Sequence, residues 1–167
     1  MEKRITDFRT TWLVLGVLAG LCLSYFWPHE PALAATTDRS DKFALATSPV
    51  TGVLEGVFIL DFLTGRLQGH VLSNKVGKFS HAYYRNVAAD FELETRAKPV
   101  YAVVAGHTPL TSTGPGSMAQ GVIYVAELTT GSVNAYGFQY NESDRPLPPQ
   151  QMIPLDRFQF REALQGE

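Results

Sequence analysis

The sequence predicts an all-β body of two four-stranded antiparallel meanders packed together, behind an N-terminal apolar helix. Three observations carry that reading. From residue 43 onward, short runs of Val, Ile, Phe and Tyr are cut by Gly, Pro and Asn. One of those segments is written twice. Near the N-terminus lies a single stretch without charge.

That stretch, residues 12–27 (WLVLGVLAGLCLSYFW), follows Lys3, Arg4 and Arg9. A basic N-terminal flank keeps that end in the cytoplasm and sends the rest across. Residues 1–34 therefore read as a signal peptide or a membrane anchor. In the first case Pro28 ends the helix, and Ala32-Leu33-Ala34 gives the small-x-small pattern of a cleavage site before Ala35. In the second, Trp12 and Tyr25/Trp27 sit at the two interfaces, and the uncleaved helix makes the membrane a partner. At ~1.5 Å per residue the stretch spans about 24 Å of a roughly 30 Å hydrocarbon layer, between the two classes. Leu21 before Cys22 breaks a lipobox, and Gly16, Gly20 and Ser24 reflect the small-residue composition of such segments. The expected location is the cell envelope, on the extracytoplasmic side.

Residues 35–42 (ATTDRSDK) read as a polar tether, and 43–166 as the exported β domain. Within it, 57–67 (VFILDFLTGRL) aligns with 123–133 (IYVAELTTGSV): an apolar strand, an acid, two residues, Thr-Gly, and a second strand. The match extends to 43–47 against 101–105 upstream and to 79–86 against 153–161 downstream. Two repeats, 43–90 and 99–162, follow. Their strands are expected near 43–48, 54–62, 66–73 and 78–86, then 99–106, 120–128, 132–140 and 153–161. Residues 86–91 have room for one helical turn or two.

Side-chain alternation refines the picture. The second strand of each half is apolar on both sides (Val57 and Ile59 against Phe58 and Leu60; Val122 and Tyr124 against Ile123 and Val125), which predicts cover on both faces. The third strands carry Arg66, Gln68 and His70, or Ser132 and Asn134, and are expected near an edge or surface. In each hairpin Gly65 or Gly131 supplies the positive φ of the reversal. Asp61 and Glu127 are placed to accept from turn amides or from Thr64 and Thr130. Two carboxylates at equivalent repeat positions predict structure, not acid–base chemistry.

The composition narrows function by exclusion. Net charge is −2, and removing 1–34 takes three cations (Lys3, Arg4, Arg9) and three anions (Glu2, Asp7, Glu30), leaving −2. With no basic cluster, no nucleic-acid partner is expected. Cys22 is the one cysteine, so the exported part has neither disulfide nor thiolate site. His70, His81 and His107 lack ligand-spaced partners, so no metal is expected, and no cofactor fingerprint is present. Pro115 spoils the nucleophile-turn likeness of residues 114–117, which leaves Ser117 as loop.

The Asp-x-x-Thr-Gly hairpin resembles the blade turn of quinoprotein-type β-propellers. The tryptophan of those repeats is absent here, so the resemblance implies the hairpin and no cofactor. The chain as a whole, with residues 26–31 (FWPHEP), 38–43 (DRSDKF) and 57–65 (VFILDFLTG), resembles short uncharacterised planctomycete envelope proteins. That resemblance implies location without activity.

The expected function is a non-catalytic envelope protein presenting a binding or assembly module, through protein partners or self-association. Its candidate surface residues are His107, Ser117, Tyr83, Tyr84, Arg85 and Tyr136. The alternative is an enzyme or small-ligand binder in which the long polar loop 106–120 and His107 line a pocket beside Asp61 or Glu127.

Overall fold

The computed structural model describes residues 3–26, 37–91, 99–111 and 117–161. It divides into two compact units, 1–32 and 33–167. The first holds one helix, α1 (Lys3–Phe26). No helix among the described residues is long and apolar enough to cross a membrane.

The second unit is all-β, in antiparallel sheets. The first sheet is built on β2 (Phe43–Thr51), β3 (Leu54–Asp61), β4 (Arg66–Leu72) and β5 (Phe79–Asn86). Its core is the expected meander. Two short strands extend it. Residues read as tether form β1 (Thr37–Arg39), antiparallel to β2, and β11 (Gln150–Gln151) runs parallel to β5. One helical turn, α2 (Val87–Asp90), follows β5. The second sheet is again a meander, β6 (Tyr101–His107), β8 (Gly121–Glu127), β9 (Ser132–Gly137) and β12 (Ile153–Gln159). The segment expected to prolong β9 instead leaves the sheet. As β10 (Gln139–Tyr140) it pairs with β7 (Ser117–Met118) in a two-residue ribbon.

The two acid-Thr-Gly hairpins are alike in detail. Gly65 and Gly131 have φ of 62° and 74°, and their amides donate to Asp61 and Glu127 carbonyls at 2.9 and 3.0 Å. Each glycine carbonyl then accepts from the end of its meander, from the Val87 amide at 2.9 Å and the Phe160 amide at 2.8 Å. The acids cap the turns. Asp61 Oδ1 accepts from the Leu63 amide at 2.8 Å, and Oδ2 from Thr64 Oγ1 at 2.9 Å. Glu127 Oε1 accepts from the Val100 and Thr129 amides at 3.2 and 2.9 Å, and Oε2 from the Thr130 amide at 2.6 Å.

These turns fix the register, and register decides which rows are buried. In the first sheet Ala44, Ala46, Phe58, Leu60, Leu67, Val71 and Tyr83 face inward, and in the second Tyr101, Val103, Ile123, Val125 and Tyr136 do. All belong to one hydrophobic cluster. Phe138 is its aromatic hinge, with ring centroids 4.8 Å from Phe58 and 5.1 Å from Tyr83. Gly69, on the strand beside Phe58, leaves that ring room: a Cβ there would overlap it.

Two expectations about faces need correction. The outer sides of the second strands are covered only in part: Val122 is buried and Val57 and Tyr124 are half-buried. Ile59 remains 37% exposed while its neighbours Phe58 and Leu60 are fully buried. On the third strands Arg66 and Gln68 are exposed as expected, but Ser132 and Asn134 do not face solvent. Both are buried, because β9 turns its polar positions inward and its apolar positions Val133 and Ala135 outward.

Gly65 and Gly77 separate two costs of a side chain. Both have positive φ, but a Cβ at Gly65 would lie 2.5 Å from that of Ala88, whereas Gly77 opens onto free space. Gly77→Ala should cost about 1 kcal/mol from backbone conformation alone. Gly65→Ala should cost roughly 2 kcal/mol or more. Urea unfolding of both variants checks this; equal losses would mean that the turn contact with α2 is unimportant.

Candidate functional site

The inner face of the second sheet ends, at its β12 side, in a polar constellation that reaches across to the first sheet. Asn134 and Tyr136 lie two apart on β9 and so share that face, and Arg157 on β12 stands opposite Asn134. From the first sheet comes Arg85, on the same inward side of β5 as Tyr83. The single turn of α2 then brings Asp90 back beside it. Arg85 grips Asp90 with two bonds, Nε to Oδ2 at 2.8 Å and Nη2 to Oδ1 at 2.6 Å. Tyr136 Oη donates to Asp90 Oδ2 at 2.9 Å and accepts from Asn134 Nδ2 at 3.1 Å. Arg157 Nη2 reaches Ser132 Oγ at 3.3 Å.

A cleft of about 410 Å³ opens over this network. Arg85, Ala89 and Asp90 form one wall, and Asn134, Pro154, Leu155, Asp156 and Arg157 the other. Its size suits a small ligand. The electrostatics are those of a neutralised network. Burial pushes the Tyr136 hydroxyl well above the usual phenol range, so it stays a donor. The bond to Asp90 holds the Arg85 guanidinium charged.

The residues expected to make one binding surface are dispersed. Arg85 and Tyr136 meet through Asp90. Tyr83 is buried and donates to the Gln139 carbonyl at 2.6 Å, so it and Tyr136 belong to the interior, not to a surface. Tyr84, its neighbour on the strand, points to the opposite, outer face of the first sheet and is 46% exposed. His107 and Ser117 are exposed at the far end of the second sheet. Residues 112–116 of the long loop lie outside the described residues. What can be placed puts the loop and the acids at opposite ends. His107 pairs with Gly121 and Tyr101 with Glu127, so β8 separates them by about 20 Å at ~3.3 Å per residue.

Two of the histidines have structural partners. His81 is buried between the Asn141 carbonyl, 2.9 Å from Nε2, and Ser80 Oγ, 2.8 Å from Nδ1. A carbonyl can only accept, so Nε2 carries the proton. Burial lowers the imidazole pKa, with the Asn141 bond opposing it. His70 packs edge-on against Phe79. Among the described residues, no three His, Cys, Asp or Glu side chains converge to hold a metal ion.

Sequence reasoning missed Asp90 and Asn134. The five-residue spacing of Arg85 and Asp90 around a predicted helical turn was the available signal for the first. Asn134 gave none, since a polar residue alternating with apolar ones reads as solvent-facing. No family model matches the chain, and neither the curated proteins nor the solved structures hold a match to it.

Glu127 generates the pH prediction. Burial opposes its ionisation, but the amides and hydroxyls of Thr130 and Thr129 outweigh burial and hold the carboxyl at about 2, below its ordinary 4.5. As pH falls, the unfolded chain takes up this proton first. The contribution to stability is therefore complete above about pH 4.5 and is lost on the way down to about pH 2. Glu127→Gln should lose about 2 kcal/mol at neutral pH and show a shallower loss across that window. Urea unfolding at stepped pH measures both; parallel pH curves for the two proteins would contradict the assignment.

Proposed function

We propose that this chain is a non-catalytic cell-envelope module, sent out of the cytoplasm by its N-terminal segment, that assembles with copies of itself. One observation carries the reading: the outer face of the second sheet. Register places Ala102, Ala126, Val133 and Phe158 in one cross-strand row and Val104, Tyr124, Ala135 and Asp156 in the next. Of these eight side chains, only Asp156, at the edge, carries charge. Val104 and Phe158 are 58% and 59% exposed. A face so poor in charge is poorly suited to water and marks an interaction surface.

The occupant is a second copy. Within one chain, a sheet of this kind is already covered by another sheet, through the inner rows. The outward face of the first sheet mixes Leu45, Val57, Ile59 and Tyr84 with Thr47, Gln68 and His70, and carries no charge in those two rows, so a copy supplies a largely uncharged face to stack against. Stacking the outer face of one chain's second sheet on the next chain's first sheet is a heterologous contact, which closes into a ring when the rotation allows. Two sheets are too few for a propeller, which takes about four or more blades, and this stacking supplies the rest. The resemblance of the hairpins to propeller blades fits the same reading. Lateral pairing at β12 is disfavoured, because Pro154 lacks an N–H, the register breaks between Pro154 and Asp156, and Asp156 and Arg157 charge the edge.

Sedimentation of the full chain in mild detergent tests it. The wild type should sediment as an assembly at tens of micromolar, and Val104→Asp should shift it toward monomer. Val53→Asp, in the exposed turn between β2 and β3, should leave the assembly intact. A wild-type monomer, or association unaffected by Val104→Asp, would refute the reading.

A further inference from the structure

We infer that residues 145–149 (RPLPP) form a ready-made polyproline II ligand for a partner protein whose groove is lined by aromatic rings. The sequence sets the conformation. Pro146, Pro148 and Pro149 fix φ in the range that this helix uses. Arg145, Leu147 and Pro148 each precede a proline, which pushes them out of the α region toward extended backbone. The run accordingly contains neither α-helix nor β-strand. Its exposure repeats as a polyproline II helix requires. At about three residues per turn, positions 145 and 148, 146 and 149, and 147 and 150 line up as three ridges. The first two ridges are exposed, and the third, Leu147 and Gln150, is half-buried against the body. The Leu147 amide donates to the Ser80 carbonyl at 2.8 Å, and Gln150 pairs with Tyr83 on β5.

Both ends of the run are tied to β5, so little freedom remains to be lost on binding. Before it, the Gln139 and Asn141 carbonyls accept from Tyr83 Oη at 2.6 Å and His81 Nε2 at 2.9 Å. After it, the buried Met152 donates its amide to the Tyr84 carbonyl at 3.0 Å. What faces outward decides the partner. The two exposed ridges present pyrrolidine rings, which pack on flat aromatic faces, and proline carbonyls with no N–H beside them. Tryptophan and tyrosine meet both needs, ring against ring and N–H or O–H to carbonyl. Arg145 adds a cation. None of the ion pairs among the described residues engages its guanidinium, whereas Lys75 takes Glu142 and Asp144. The matching groove therefore combines aromatic side chains with a carboxylate at one end. That is the chemistry by which PxxP segments are read, and Pro146 and Pro149 supply the spacing.

The run lies beyond β5, at the edge of the first sheet, and Val104 on the outer face of the second, so this reading and the assembly fail separately. Isotope-labelled SH3, WW and EVH1 domains serve as probes, each titrated with the full chain in mild detergent and followed by NMR. At least one should show shifts confined to its aromatic groove. Its affinity should fall about tenfold or more with Arg145→Glu, and likewise with Pro146→Ala and Pro149→Ala made together. Binding should persist in Val104→Asp. The three altered positions of the run are exposed, and circular dichroism confirms that each variant is folded. No response from any of the three probes, shifts outside the groove, or binding that survives either change in the run would overturn the inference.

Discussion

The hairpin closed by an acid, a threonine and a glycine is the constraint from which the rest of this structure follows. Strand side chains alternate strictly, so a slip of one residue would exchange the inner and outer faces of a whole meander. Asp61 and Glu127 prevent that slip by satisfying turn amides, while Gly65 and Gly131 take a backbone conformation that other residues resist. The same turns receive the chain again at the end of each meander, through Val87 and Phe160. A local four-atom decision at each bend thus sets the position of an entire sheet.

With register fixed, three surfaces are defined at once. The inner rows, mostly apolar, merge around Phe58, Tyr83 and Phe138 into a single core. Where those rows approach the β12 edge they become polar: Asn134 reaches Asp90 and Arg85 through Tyr136, and Ser132 accepts from Arg157. The outer rows of the second sheet carry what remains, alanines, valines and two aromatic residues, with Asp156 as the one charge at the edge. The polar groups that converge on the inner side form one network, in which Asp90 accepts from both Arg85 and Tyr136.

The strands and hairpins were legible in the sequence because they are encoded locally, by apolar runs of strand length, by Thr-Gly at the bend, and by a second copy that confirmed the first. The added strands were not. Residues 37–39 are polar and charged, and pair with β2 only because its edge is open; residues 150–151 join β5 in parallel, a contact no local pattern signals. The network at the cleft was half legible. Arg85 and Tyr136 drew notice as surface groups, but their meeting depends on Asp90 and on two sheets folding face to face. Asn134 looked solvent-facing for the same reason that the apolar outer row looked buried: period-two alternation reveals that a strand has two faces without revealing which one is covered.

That ambiguity is also where the functional account is most exposed. Solvent paramagnetic relaxation, read at the side chains of Val104, Tyr124, Ala135 and Phe158 while protein concentration is raised, addresses it directly. These groups should become shielded from a soluble nitroxide as chains associate, while Val53 at the β2–β3 turn stays accessible. Uniform accessibility at every concentration would show that the outer row faces water in the working protein, and the assembly account would fall.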